Sequence, residues 1–226
     1  MLQLLASLDI LYGNCGHTEA ATNVLCMRCE AELPDLGCLT EVVSECLPEN
    51  CSPVRKHIST VPNDAGILTR DSDSFIFTAV YRVSQHYVAV KASWCNLKLL
   101  VIVAYLSPTA SVLSNNQYML LVQELTAMCS QVPPDALTIL LGDFNAYHPN
   151  WSNETCRNSR KRTKGEVLKH YTEKAGLMVV NSCQPNCFRG MTETVNDLVF
   201  VNQAMLSGLS ICETTEHLGG TFTFLV

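Results

Sequence analysis

Between Gly66 and Tyr105 four apolar or alternating runs of strand length follow one another, separated only by short polar turns: Gly66–Arg70, Ser74–Tyr81, Tyr87–Ala92 and Leu97–Tyr105. Each run is β-branched or alternating and reads as a strand. The rest of the chain mixes the two periodicities. Leu5–Tyr12, Leu36–Leu39, Leu177–Asn181, Asp197–Val201 and Thr221–Val226 read as further strands. Leu137–Leu141 is apolar throughout, as expected of a strand covered on both faces. Helical spacing marks Ala20–Leu33, which stops at Pro34, and Asn116–Ser130, with Leu120, Leu121, Leu125 and Met128 expected on one face. Gly165–Gly176 reads as a helix closed by a glycine, and Cys46–Asn63, rich in Pro, Ser and Asn, as loop. Many strands with a few good helices predict an α/β chain: a two-sheet β-sandwich, mainly antiparallel, flanked by helices. The 226 residues suffice for one such domain spanning 1–226.

Composition removes several alternatives. With 47% hydrophobic and 16% charged residues the chain is not a disordered one. Its longest apolar run, Leu99–Leu106, is strand length and too short to span a bilayer. Met1–Leu11 lacks a basic leader and contains Asp9, so a secretory signal is not expected and a soluble, intracellular monomer is. The twelve cysteines, several in apolar stretches (Cys38, Cys95, Cys129, Cys183), show no small-scaffold spacing and read as reduced thiols. Cys26-Met27-Arg28-Cys29 is a lone CxxC without a second pair, hence buried helix thiols rather than a zinc site. The net charge of −6 does not favour phosphate binding. Against it stands one basic run, Arg157, Arg160, Lys161, Arg162, Lys164 and Lys169, opposed only by Glu166. It reads either as a solvated loop and helical turn or as a patch for a nucleic-acid backbone.

The strongest chemical signal is Thr138–Asn145, TILLGDFN. A buried strand ends in a glycine and then presents an acid and an amide two residues apart. Period-two geometry puts Asp143 and Asn145 on one side, with Phe144 turned to the core. Such a pair can orient a water beside a phosphate, though Gly, Asp and Asn also make ordinary turns. Asn14, Glu41, Tyr105 and Asp197 likewise fall at or just beyond the ends of expected strands. Convergence of these groups on one site is expected.

In combination these segments resemble the endonuclease/exonuclease/phosphatase family, specifically the endonuclease domain of non-LTR (LINE-type) retrotransposons. The matching pieces are Asn14 after the first strand, PDLGCLTE ending in Glu41, GDFNAYHPNW from Gly142 to Trp151, the helix and strand Gly165–Asn181, and VNDLVFV from Val195 to Val201. The resemblance implies a DNase I-like fold and Mg²⁺- or Mn²⁺-dependent phosphodiester hydrolysis. It implies Asn14 and Glu41 as metal residues, Asp143 as orienter or base for the attacking water, and Asn145 and Tyr105 as phosphate contacts. Asp197 would act on the metal or leaving-group side. Asn186, or Cys187, falls where the family often has a DNA-contacting Thr, and Arg157, Arg160, Lys161 and Arg162 would meet the DNA backbone. DNA is the implied partner, with a reverse transcriptase following in the parent element and work in the nucleus.

The pattern breaks at the last strand. The family has a Ser-Asp-His triplet where this chain has Gly219, Gly220 and Thr221. Threonine cannot act as an imidazole near neutral pH and glycine supplies no carboxylate. His217, four residues upstream of Thr221, is out of strand register to substitute. The expected function is therefore an impaired retrotransposon endonuclease. Two alternatives stand beside it: a catalytically dead relic that at most binds DNA or metal, and a family member acting on a small phosphorylated substrate.

Overall fold

The computed structural model describes residues 7–43, 55–59, 65–70, 75–109, 113–152, 158–181, 187–189, 192–207, 209–215 and 219–225. In chain order the elements are β1 (Ser7–Asn14), α1 (Glu19–Glu32), β2 (Leu36–Thr40), β3 (Arg55–Ser59), β4 (Ala65–Arg70), β5 (Phe75–Val83), β6 (Tyr87–Trp94) and β7 (Leu97–Tyr105). Then come α2 (Asn115–Ser130), β8 (Leu137–Asp143), α3 (Ser159–Lys174), β9 (Leu177–Val179), β10 (Cys187–Arg189), β11 (Thr192–Thr194), β12 (Asp197–Asn202), α4 (Gln203–Leu206), β13 (Leu209–Thr215) and β14 (Gly219–Leu225).

Two six-stranded sheets form, with strand orders β13-β14-β1-β2-β4-β3 and β5-β6-β7-β8-β12-β9, beside a β10–β11 hairpin. Each large sheet is antiparallel except for one parallel pair, β1 with β2 and β7 with β8. A parallel pair requires a crossover. Here α1 and α2 lie in those connections. The expected helix-flanked sandwich of two mainly antiparallel sheets is thus the fold.

The inner layer is apolar: Leu8, Ile10, Leu36, Cys38 and Ile67 of the first sheet pack with Val88, Val90, Val101, Ile139 and Val199 of the second. The outer face of the second sheet buries Ile102, Leu140 and Phe200 with Tyr118, Val122 and Leu125 of α2 and Leu168 of α3. This explains the unbroken apolar run in β8, which is covered on both faces. On the first sheet α1 packs Leu25, Cys26 and Cys29 onto Leu11, Leu39 and Leu68, so the CxxC thiols are buried helix residues. Among the described residues no helix is long and apolar enough to cross a membrane.

Several expectations need correction. The Cys46–Asn63 loop contains β3, which pairs with β4. Leu120 of α2 is exposed, and the buried face runs through Tyr118, Val122, Leu125, Met128 and Cys129. Helix α3 begins at Ser159 rather than Gly165, because the Asn158 side chain caps it by accepting from the Arg160 and Lys161 N–H groups. Strand β9 ends at Val179, short of Asn181. Strand β13 and the β10–β11 hairpin were not expected from the pattern of apolar residues.

Candidate active site

Sheet register assembles one half of the site. In the parallel β7–β8 pair Tyr105 stands opposite Asp143, and in the antiparallel β8–β12 pair Asp143 stands opposite Asp197. Three functional candidates therefore form a row across adjacent strands. Gly142 makes the row possible. Its φ is +146°, and a Cβ there would lie 1.8 Å from the Ala104 carbonyl oxygen. Just past β8 the chain turns: Asn145 takes φ +47°, its N–H donates to Asp143 Oδ1 at 3.0 Å, and its Nδ2 donates to the Leu106 carbonyl at 3.3 Å. Phe144 points into the core against Phe200.

The first sheet supplies the other half. Strand β1 ends at Asn14 opposite Thr40, and Glu41 follows with φ +52°. Asn14 Nδ2 donates to Asp143 Oδ2 at 3.1 Å and to Asp197 Oδ1 at 3.4 Å, bridging two carboxylates across the sandwich. Its Oδ1 accepts from the Gly16 N–H at 2.9 Å. Tyr12, on the same face of β1, donates its hydroxyl to Asp197 Oδ1 at 2.6 Å. Its one proton being so used, the Thr40 hydroxyl 3.0 Å away is the donor to Tyr12. His17 closes this rim: its Nε2 lies 3.7 Å from Glu41 Oε1 and its ring stands edge-on to Tyr105, centroids 5.8 Å apart.

Asn14, Glu41, Tyr105, Asp143, Asn145 and Asp197 thus come together. The head of β14 reaches the same end of the first sheet, since Leu11 pairs with Thr221. Arg160 is turned aside, its guanidinium donating to the Leu113 carbonyl and the Asn115 side chain. Lys161 approaches the acids, donating to Asn196 Oδ1 at 3.2 Å. Arg162 lies on the first turns of α3. Arg157, Asn186 and His217 lie outside the described residues.

Electrostatics mark the acids as unusual. Burial pushes the Asp143 carboxyl well above the usual carboxylate range, and the charges of Asp197 and Glu41 add to it. Burial also brings Asp197 up to about 7, against the opposing hydrogen bonds from Tyr12 and Asn14. The Tyr12 phenol is held well above its ordinary value, by burial first and by Asp197 next.

Beneath the site lies Lys164, 2% exposed, whose Nζ donates to the Ser107 carbonyl at 3.0 Å and sits 4.7 Å from the Tyr118 ring centre. Burial, with Arg160 adding, brings its ammonium down to about 8. Tyr118 in turn donates to the Phe144 carbonyl at 3.1 Å, so Lys164 ties together the turns that follow β7 and β8.

Sequence reading missed Tyr12, Thr40, His17 and Asn196, and took Lys164, here buried, only as a member of the basic run. Tyr12 was detectable, being two residues before Asn14 on the same strand face. His17 and Lys164 left no periodic signal.

The donor set suits a hard divalent cation. Glu41, Asp143 and Asp197 are buried, and burial first, then the charges of Asp197 and Glu41, raise Asp143. Oxygen-rich anionic surroundings are what Mg²⁺ or Mn²⁺ requires. Among the described residues no group of three or more His, Cys, Asp or Glu is gathered closely enough to hold an ion unaided.

Comparison with known proteins gives a consistent picture. Residues 99–219 match the family described as endonuclease-reverse transcriptase. No curated protein matches. Among solved structures, the endonuclease domain of TRAS1, a telomere-specific non-LTR retrotransposon, superposes with a TM-score of 0.75 at 16% identity, over 97% of this chain and 98% of that one. Humanized D. rerio TDP2 gives 0.69 at 14% identity, over 96% and 98%. D. rerio TDP2 complexed with single-strand DNA product gives 0.68 at 15%, over 97% and 99%. At these identities the likeness establishes a shared DNase I-like fold.

Proposed function

Because this chain belongs to the endonuclease-reverse transcriptase family, we propose that it is the DNA-nicking domain of a non-LTR retrotransposon, an Mg²⁺- or Mn²⁺-dependent phosphodiesterase slowed by the residues heading its last strand. The observation behind this reading is the bridge of Asn14 across Asp143 and Asp197, which draws polar groups from both sheets into one cluster.

A DNA phosphodiester approaches the mouth between the β1–β2 rim and the β7–β8–β12 floor. Asp143, raised in basicity by burial and repulsion, orients the attacking water and takes its proton as the water oxygen bonds to phosphorus. Asn145 and Tyr105 donate to the non-bridging oxygens as charge grows there. The bond to the departing O3′ breaks and that oxygen takes up a proton from water, with Asp197 assisting on the leaving-group side. Glu41 would hold the divalent ion, which supplies electrostatic stabilisation of the departing oxygen. Lys161 and Arg162 would meet the DNA backbone from the start of α3, and Arg157 would add to the same basic run. A reverse transcriptase in the parent element would use the nicked end, in the nucleus.

Gly219, Gly220 and Thr221 head β14 beside Leu11 and bring no group that titrates near neutral pH. One positioned acid or base contributes about 10²–10⁴ in rate. Turnover is accordingly slow. The test is nicking of supercoiled plasmid in Mg²⁺ by the parent and by Gly219→Ser/Gly220→Asp/Thr221→His. Nicking that rises in the variant and vanishes on adding Asp143→Ala supports the reading. A folded, metal-binding variant that leaves plasmid and abasic DNA intact but cleaves inositol phosphates overturns it.

A further inference from the structure

Four basic residues open α3, and one of them faces inward. Arg160 and Lys161 are half-buried and Arg162 is exposed, whereas Lys164 is buried. Taking an ammonium out of water is costly unless a carboxylate or several hydrogen bonds compensate it. The described contacts of Lys164 Nζ are the Ser107 carbonyl and the face of the Tyr118 ring, a carbonyl and an aromatic rather than a carboxylate. Burial first, then the charge of Arg160, bring its pKa down, while the charge of Asp143 pulls the other way. The fold alone does not call for such a group, because an apolar side chain of similar length would fill the space at less cost.

What the ammonium holds is the backbone beside the phosphate-facing groups. Tyr105 ends β7, and Ser107 lies two residues on. Between them Leu106 is laced to the turn after β8. Its N–H donates to the Asp143 carbonyl at 2.8 Å, and its carbonyl accepts from Asn145 Nδ2 at 3.3 Å. Tyr118 holds the Phe144 carbonyl of that turn from the α2 side. On the α3 side the backbones themselves meet: a Cβ on Gly165 would lie 1.7 Å from the Tyr147 carbonyl oxygen, and the Tyr147 N–H donates to the Lys161 carbonyl at 3.0 Å. Lys164 therefore stands where both site turns join the helix that carries Lys161 and Arg162.

We propose that Lys164 is a positioning residue for phosphodiester hydrolysis: by holding the Ser107 carbonyl against α3 it fixes Tyr105 and Asn145 for the reacting phosphate, at a cost in fold stability. The inference rests on the phosphodiesterase reading above. A donor displaced by about 1 Å can lose about a hundredfold in rate. Donors aimed at charge that grows only in the transition state leave ground-state binding nearly untouched, so the loss falls on the maximal rate and not on DNA affinity.

Single-turnover nicking of supercoiled plasmid in Mg²⁺, affinity for a short duplex and the urea midpoint are measured for the whole chain, Lys164→Met and Lys164→Arg. Each is also made in the Gly219→Ser/Gly220→Asp/Thr221→His background. Lys164→Met keeps the length of the side chain and removes its charge and its donor. It is expected to hold or raise the urea midpoint, to keep duplex affinity within about threefold, and to lower the maximal rate about tenfold to a hundredfold. Lys164→Arg keeps charge and donors in a bulkier group. It is expected to lower the midpoint by overpacking and yet to recover part of the rate lost in Lys164→Met. Stability and rate then rank the two variants in opposite order, which a purely structural lysine would not do. A folded Lys164→Met that nicks at the parent rate overturns this inference alone. So does a Lys164→Met whose midpoint falls and whose rate declines only with the folded fraction. A parent and a restored chain that both leave plasmid intact overturn it together with the phosphodiesterase reading.

Discussion

The floor and the rim of the site are built in opposite ways. In the floor Tyr105, Asp143 and Asp197 occupy one row of a hydrogen-bonded sheet, all nearly buried. In the rim His17 and Glu41 stand beyond the ends of their strands on left-handed backbone. A register row is specified many times over, since slipping it by one residue would turn every core side chain to the wrong face. A rim made of turns is specified by a few backbone hydrogen bonds. The floor can therefore hold chemistry that is costly to the fold, and the rim is where change is tolerated.

Restoring the head of β14 is expected to have the largest effect. The triple replacement Gly219→Ser/Gly220→Asp/Thr221→His should raise plasmid nicking by about 10²–10⁴. Thr221→His alone should gain less, because an imidazole needs a carboxylate to fix its tautomer and orientation. Single-turnover rates measure both. Equal gains would mean that the surroundings already orient the ring.

Next comes a pair of glycines. In the floor, Gly142→Ala places a methyl 1.8 Å from the Ala104 carbonyl oxygen at φ +146°. A loss of more than about 3 kcal/mol in urea unfolding is expected. In the rim, Gly16 has φ +56° with nothing within 4 Å of the added carbon. Gly16→Ala should cost only about 1–2 kcal/mol, the left-handed backbone penalty. Similar losses at the two positions would remove the distinction drawn between floor and rim.

The third prediction concerns charge stored in the floor. Folded Asp197 titrates at about 7, above its unfolded value near 4. The folded chain thus binds a proton that the unfolded chain releases, and stability falls as pH rises between those values. Asp197→Asn should match the parent at pH 4 and exceed it by about 1–2 kcal/mol at pH 8. Urea midpoints at the two pH values check this, and a parent no weaker at pH 8 would show a relaxed carboxylate.

The smallest effect belongs to the basic run. Each phosphate contact removed by neutralising Arg157, Arg160, Lys161 or Arg162 should lower the slope of log affinity against log salt by about one unit. Because Arg160 is engaged with Leu113 and Asn115, its share should be less than that of Lys161. Binding of a short duplex across a salt series reads this out, and equal shares for Arg160 and Lys161 would contradict the described orientation.

What could be read from sequence follows the same division. TILLGDFN was legible because its apolar run, its glycine and its alternating polar ends each reflect a requirement of a buried strand. Asp197 was legible from the strand it opens. His17 was not, because a residue placed by a positive φ after the strand has no periodicity to betray it. The start of α3 was misplaced because Asn158 and the basic residues after it look like loop, and only the capping geometry makes them helix. Lys164 resembled its charged neighbours, though its side chain is buried under the site.

The hydroxyl of Tyr12 and the carboxylate of Asp197 are separated by 185 positions along the chain and by 2.6 Å in space. Closing a loop of that length is an entropic step that local structure cannot shortcut, and it must await the parallel pairs that α1 and α2 carry across. During synthesis the ribosome releases β1 long before β12 exists. Asp143 and Asp197 meet as β12 joins β8, and the Tyr12 hydroxyl reaches Asp197 only when the C-terminal portion of the chain has folded back on its beginning.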